Sequence, residues 1–222
     1  MADVRILFTA NPLVGHVFPM LPLMHAARAA GHEVVLATGA DLVPGMQRRG
    51  LPTWTVGPTS SDMFAGLARA SAIPAADEEA RLRRDAVHLF ARPGVARVLD
   101  LMPQATAWGP DIVISEITEP AGREVAATTG ARHVTHGFGT HVPNTRTLID
   151  AIFEHVSSEL GTPNRLHAFE TASTSTPARP ACSPPSSAGW TSGPSGPASV
   201  RSSPATGSRR SSATCRRDRS ST

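Results

Sequence analysis

The sequence predicts an α/β fold, a doubly wound parallel sheet followed by a tail without stable structure. Three observations predict it. Short apolar runs at 4–10, 33–38 and 112–114 read as strands buried on both faces. Stretches of helical periodicity, several closed by glycine, separate those runs, and alternating strands and helices imply parallel pairing. Near residue 170 the composition changes abruptly to Ser, Thr, Pro, Gly, Ala and Arg.

The elements follow in order. Val4 to Ala10 forms the first strand, ended by Asn11-Pro12. Leu21, Leu23, Met24 and Ala27 supply the apolar face of a helix that stops at Gly31, and Glu33 to Thr38 is the second strand. A helix around Asp41 to Arg49 closes at Gly50, before a strand at Thr53 to Val56. Ser60 to Trp108 reads as mainly helical, with breaks expected at Pro74 and Pro93. Pro110-Asp111 opens the strand Ile112 to Ile114. Thr118 is then expected to cap a helix with Pro120 in its first turn and Gly130 at its end, and Arg132 to His136 is extended. Asn144 to Leu160 is an amphipathic helix whose apolar face is Leu148, Ile149, Ile152, Phe153, Val156 and Leu160.

The expected organisation is one domain over 1–170 and a disordered Ser/Pro/Arg-rich tail over 171–222. Of the tail's 52 residues, 40 are Ser, Thr, Pro, Gly or Ala, too few apolar groups to offset an ordering cost of ~1–2 kcal/mol per residue. Residues 1–170 hold 14 of the 21 arginines but 17 of the 18 acids, so the basic character belongs to the tail. Out-of-frame translation of GC-rich DNA yields such a mixture and is the favoured explanation; a natural basic linker is the alternative.

Composition also excludes chemistry. The chain has no lysine, so neither a P-loop lysine nor a Schiff-base lysine exists in it. Both cysteines, Cys182 and Cys215, lie in the tail, which leaves the domain without a disulfide or a thiolate metal site. The start lacks a basic signal-type region, and no apolar run approaches the ~18 residues of a membrane span. A cytoplasmic protein without a membrane span is expected.

In open parallel sheets ligands bind beyond the carboxyl ends of the strands. Three such places carry polar groups: Asn11 to His16, Ser115-Glu116, and His136 to Gly139. Pro19 and Pro22 fit together only in the first turn of a helix that starts at Pro19, leaving His16 in the loop before it. The helix dipole there disfavours imidazolium, so His16 is expected to be neutral and able to accept a proton, with Glu116 the best-placed carboxylate to orient it. The plainer readings are a loop histidine bonded to backbone and a solvated acid beside a helix. His133 and His136 fall on opposite faces of a strand and cannot chelate one metal together. Met63, Phe64, Leu67, Leu89 and Phe90 suit either core packing or an apolar pocket. No G-x-G-x-x-G or G-x-S-x-G sequence is present.

The stretch from Val4 to Leu23, with its strand, Gly15-His16 and Pro19-x-x-Pro22, resembles the N-terminus of actinobacterial GT-B glycosyltransferases of the family 1 type, which decorate macrolides and other natural products. Pro110 to Glu116 and Val134 to Gly139 resemble later strands of the same acceptor domain. The resemblance spans residues 3 to about 170. It implies a Rossmann-like N-terminal half of a GT-B fold and inverting transfer of a hexose from a nucleotide-activated sugar to a hydroxyl of a hydrophobic acceptor. His16 would be the general base, steadied by Glu116 where many relatives carry aspartate. Gly15, Phe18, Met63, Phe64, Phe90, His136 and Phe138 would contact the acceptor. It implies no metal and no cofactor, the nucleotide sugar being a co-substrate. A complete enzyme of this kind has a second domain that grips the nucleotide, and nothing after residue 170 resembles it. Because catalysis needs both reactants positioned together, worth ~7–11 kcal/mol, the chain alone is expected to be an inactive fragment.

Two other classes remain open to the sequence. One is a non-catalytic acceptor-binding or auxiliary module, and another is a solitary nucleotide binder, which the missing glycine fingerprint disfavours. Nucleic-acid binding through Arg209-Arg210 and Arg216-Arg217 is not expected, because Trp190 is the tail's only stacking residue and the charge is diluted among Ser and Pro.

Overall fold

The computed structural model describes residues 4–137 and 144–164. Phe138, His141 and the tail expected to be disordered lie outside the described residues. The chain order is β1 (Arg5–Thr9), α1 (Val14–Val17), a 3₁₀ turn (Phe18–Met20), α2 (Leu21–Ala29), β2 (Glu33–Thr38), α3 (Val43–Arg48), β3 (Thr53–Thr55), α4 (Ser60–Ser71), α5 (Glu78–Ala86), a π-helical turn (Val87–Ala91), α6 (Arg92–Trp108), β4 (Ile112–Glu116), α7 (Ala121–Thr129), β5 (Arg132–His136) and α8 (Thr145–Leu160).

The five strands form one parallel sheet in the order β3-β2-β1-β4-β5, a Rossmann-like arrangement. The chain winds outward from β1 to β3, then returns to the centre and winds the other way through β4 and β5. The reversal leaves a crevice between the carboxyl ends of β1 and β4, where ligands of such sheets bind.

Alternation along the strands separates two apolar layers. Ile6, Phe8, Val34 and Leu36 pack against Met20, Met24 and Met46 on one face. Leu7, Val35, Ala37 and Val113 pack against Val98, Leu101, Ala105 and Val125 on the other. A third cluster joins the helical insertion to α8 through Met63, Phe90, Ile149, Ile152, Phe153 and Val156, as the amphipathic pattern of α8 predicts.

Three local expectations need correction. Helix does not begin at Pro19. The Leu13 carbonyl accepts from the N–H groups of His16 and Val17, so a turn forms five residues earlier and His16 lies inside it. Both prolines remain tolerated because each stands in the first turn of a new segment, the 3₁₀ turn and α2. Pro93 likewise does not break the insertion; the π-helical turn precedes it and Pro93 occupies the first turn of α6. Thr118 does not cap α7. Glu119 does, accepting from the N–H groups of Ala121 at 2.9 Å and Gly122 at 3.1 Å.

Gly122 sets how closely α7 approaches the sheet. A Cβ there would lie 2.6 Å from both Ser115 Cβ and Thr9 Oγ1. Gly122→Ala is therefore expected to destabilise the fold by about 1–3 kcal/mol through overpacking, although the same change in an open helix stabilises by roughly 0.5–1 kcal/mol. Urea unfolding checks the sign, and a stabilised variant would contradict this account.

Candidate active site

The carboxyl ends of β1 and β4 are aligned by the pairing of Thr9 with Ser115. The chain leaving β1 therefore carries Asn11 past the last residue of β4, Glu116, and turns into α1 with His16 above them. His16 Nδ1 lies 3.0 Å from Glu116 Oε1, and the His16 side chain is 13% exposed against 0% for Glu116. The candidate pair is thus brought together across about 100 residues of sequence, and the reading of Glu116 as a solvated acid is excluded by its burial.

A buried carboxylate is sustained only by donors. Glu116 receives the Asn11 side-chain amide on Oε1 at 2.5 Å, the Thr118 N–H on Oε2 at 2.7 Å, and the Thr118 hydroxyl at 2.8 and 3.0 Å from its two oxygens. Burial acts to raise its pKa. The hydrogen bond and charge of His16, together with the Thr118 donors, outweigh burial, and the carboxyl ends below its ordinary value.

Behind this pair lies a second buried layer. Asn11, Arg97 and Glu119 are each fully buried. Arg97 Nη1 donates to Asn11 Oδ1 at 3.0 Å and to Glu119 Oε1 at 3.3 Å, while Asn11 Nδ2 also reaches Thr118 Oγ1 at 3.1 Å. Sequence reasoning assigned no role to Asn11, Thr118, Arg97 or Glu119 in the site. A signal existed for Arg97: it shares its helical stripe with Leu101 and Ala105, both fully buried, so a charge there required a buried partner.

The predicted acceptor residues scatter more widely. The Phe90 ring lies 5.7 Å from the His16 ring, brought there by the π-helical turn. His136 is half-buried at the end of β5, paired in register with Glu116. Gly15 is exposed beside His16. Phe18 is partly exposed beneath the Arg49 guanidinium, 5.2 Å from its ring centre. Phe64 is half exposed on α4. Met63 is a correction: it is 1% exposed inside the third core cluster, so it packs the interior rather than lining an open surface. Phe138 falls outside the described residues. A separate cleft of about 360 Å³ between α4 and α6, lined in part by Asp62, Arg69, His88 and Arg92, includes neither His16 nor Glu116.

Among the described residues no group of three or more His, Cys, Asp or Glu side chains could hold a metal ion, and no helix is long and apolar enough to cross a membrane.

Residues 25–178 match the model of the erythromycin biosynthesis protein CIII-like N-terminal domain. The chain belongs to this family. The L-demethylnoviosyl transferase of Streptomyces niveus is 32% identical over 158 residues, which are 70% of this chain and 40% of that protein. The elloramycin glycosyltransferase ElmGT of Streptomyces olivaceus is 31% identical over 140 residues, 61% of this chain and 36% of its own length. The glycosyltransferase SsfS6 of Streptomyces sp. SF2575 superposes with a TM-score of 0.63 at 28% identity, over 72% of this chain and 47% of that one, and it has also been solved complexed with thymidine diphosphate. The sheet is thus that of the N-terminal half of GT-B glycosyltransferases. This member of the CIII-like family spans about 40% of the length of the curated relatives named here. The family match includes Glu116 and begins downstream of His16, so the pairing of the two rests on the geometry.

One histidine of this region shapes stability rather than chemistry. Burial, with the charge of Arg123, lowers the pKa of His133 from 6.5 to about 4, and its Nε2 lies 2.8 Å from Ser115 Oγ. The fold holds this ring neutral while the unfolded chain protonates it near 6.5. Its contribution is therefore full above that pH and is lost as pH falls toward 4, by roughly 3 kcal/mol at most. Glu116 contributes in a different window, losing its stabilising effect only as pH drops below about 4.5. Denaturant unfolding between about pH 7 and about pH 4.5 is expected to show the His133 loss, and His133→Gln to reduce the slope, with the remainder from His88 and His155, whose pKa values burial also lowers; equal slopes for the two proteins would refute the assignment.

Proposed function

We propose that the described residues form the acceptor-activating half of a sugar-transfer site, and that the acceptor is a hydroxylated, largely apolar natural product. The observation that carries the reading is the His16–Glu116 pair at 3.0 Å, held at the crevice between β1 and β4. The names of the relatives, all glycosyltransferases, support the reaction class.

With its Nδ1–H donated to Glu116, neutral His16 carries its lone pair on Nε2. An acceptor hydroxyl hydrogen-bonded there gives up its proton to Nε2 as its oxygen attacks the anomeric carbon of a nucleotide-activated sugar. The bond from that carbon to the diphosphate breaks on the opposite face, its electron pair leaves with the nucleoside diphosphate, and configuration inverts. Glu116 stays anionic through its donors and stabilises the imidazolium that forms. Proton transfer to a positioned base contributes typically ~10²–10⁴-fold. Phe90, Gly15 and His136 would contact the acceptor; in support, the Phe90 ring, though largely buried in the third cluster, lies 5.7 Å from the His16 ring, Gly15 is exposed beside His16, and His136 pairs in register with Glu116.

The donor sugar is gripped elsewhere, by a nucleotide-binding half of the kind the longer relatives carry; SsfS6, crystallised with thymidine diphosphate, points to a nucleoside diphosphate sugar. The full chain on its own is expected to bind apolar aglycones, and to transfer sugar only when the donor half of a relative is supplied. His16→Ala is expected to leave aglycone binding within about twofold while lowering transfer by about 10²–10⁴-fold. Calorimetry for binding and chromatographic detection of the glycoside check both. Transfer undiminished in His16→Ala would overturn the role of this histidine, and binding with no transfer under any complementation would favour an auxiliary acceptor-binding module.

A further inference from the structure

We infer that Asn11 and Arg97 are positioning residues for the His16–Glu116 pair, acting from behind it without touching the acceptor; the inference rests on the reading of that pair as a proton-accepting dyad. The argument starts from donor bookkeeping. A guanidinium only donates, so the Asn11 atom facing Arg97 Nη1 at 3.0 Å must be the carbonyl oxygen. The Asn11 amide group is then forced to point at Glu116 Oε1 and at Thr118 Oγ1. An ionised carboxylate only accepts, so the two constraints agree and the asparagine has one orientation. Arg97 is itself held by Glu119, whose carboxylate also caps α7.

The arrangement joins three elements into one chain of contacts: Arg97 on α6, Asn11 beyond β1 and Glu116 at the end of β4, with His16 as the outermost member. The charged groups on it are Glu116, Glu119 and Arg97, two carboxylates against one guanidinium, all fully buried. Proton uptake by His16 balances the set. Asn11 relays the arginine to Glu116 without placing a cation against the carboxylate. A direct Arg–Glu contact would compete with His16 for Oε1, whereas the amide shares that oxygen.

The experiment reads the His16 ring in the full-length chain and requires no sugar transfer. Long-range proton–nitrogen spectra of the ¹⁵N-labelled protein, with His16 assigned by the signal missing in His16→Gln, give its tautomer and its titration midpoint. In Asn11→Leu the Thr118 N–H still anchors Glu116 through Oε2 and the Thr118 hydroxyl still reaches Oε1, so the carboxylate stays beside His16 but loses the amide, one of the donors that draw charge from Oε1. The midpoint is expected to rise by about one unit, a tenfold gain in proton affinity. Arg97→Met is expected to raise it in the same direction, and Arg97→Lys, which keeps the charge, to restore most of the original value. Asn11→Ser, smaller and unable to bridge both partners, replaces Asn11→Leu if the latter does not fold.

Thr38→Val, which removes another buried hydroxyl, is the control for general loosening and is expected to leave the midpoint where it was. A folded Asn11 variant with an unmoved or lowered midpoint would overturn the inference. Failure of the dyad reading itself has a separate signature: a wild-type ring whose neutral form is not protonated on Nδ1, whatever the variants do.

Discussion

Glu116 is a carboxylate with no solvent exposure, and much of the molecule around it follows from that constraint. Removing a charge from water costs several kcal/mol unless the surroundings replace the lost hydrogen bonds. Here the replacements are a backbone N–H and hydroxyl from Thr118, a side-chain amide from Asn11 and a ring nitrogen from His16. Each donor arrives on a different path. Thr118 follows β4 directly, Asn11 depends on the register of β1 against β4, and His16 depends on the turn that begins at Leu13. A shift of any of these elements would leave the charge unmatched, so the site and the sheet specify one another.

The second layer extends the same logic. Arg97 sits fully buried on α6 with its Nη1 donating to Asn11 and Glu119, while its Nε and Nη2 are buried without a hydrogen-bond partner among the described residues. Glu119 in turn is tolerated because the first N–H groups of α7 and Arg97 both face it. Buried ion pairs are poor sources of net stability compared with apolar packing, but breaking one is costly because it strands the partner. Such a layer therefore contributes little as glue and a great deal as a restraint on geometry. The π-helical turn adds a further restraint, setting the Phe90 ring against the His16 ring while Ala91 and Phe90 remain part of the core.

The fold was largely legible because its signals are local. Continuous apolar runs mark strands covered on both faces, and Gly31, Gly50 and Gly130, all with positive φ, stop helices where the sequence indicates. The errors share one cause, competition between local partners. The two prolines favour a start at Pro19, but the Leu13 carbonyl accepts the His16 and Val17 N–H groups and starts the turn upstream. Thr118 looked like a cap, yet its hydroxyl serves Glu116, and the longer Glu119 side chain reaches the helix instead. Met63 fits a pocket or a core equally by composition, and only the packing of α4 and α8 against the π-helical turn, in one cluster with Met63, decides for the core.

Of the site, the sequence alone determined its place and its two foremost members, His16 and Glu116, because residues just after parallel strands must lie along one edge of the sheet. Their mutual distance, the burial of the acid and the Arg97–Asn11 layer were decided by tertiary structure. Hydrogen-bond geometry depends on strand register and side-chain orientation, to within a few tenths of an ångström, and no periodicity in a chain encodes that. What a linear pattern carries is which face a residue takes; which partner completes it is settled only when β1, β4 and α6 close around the same buried site.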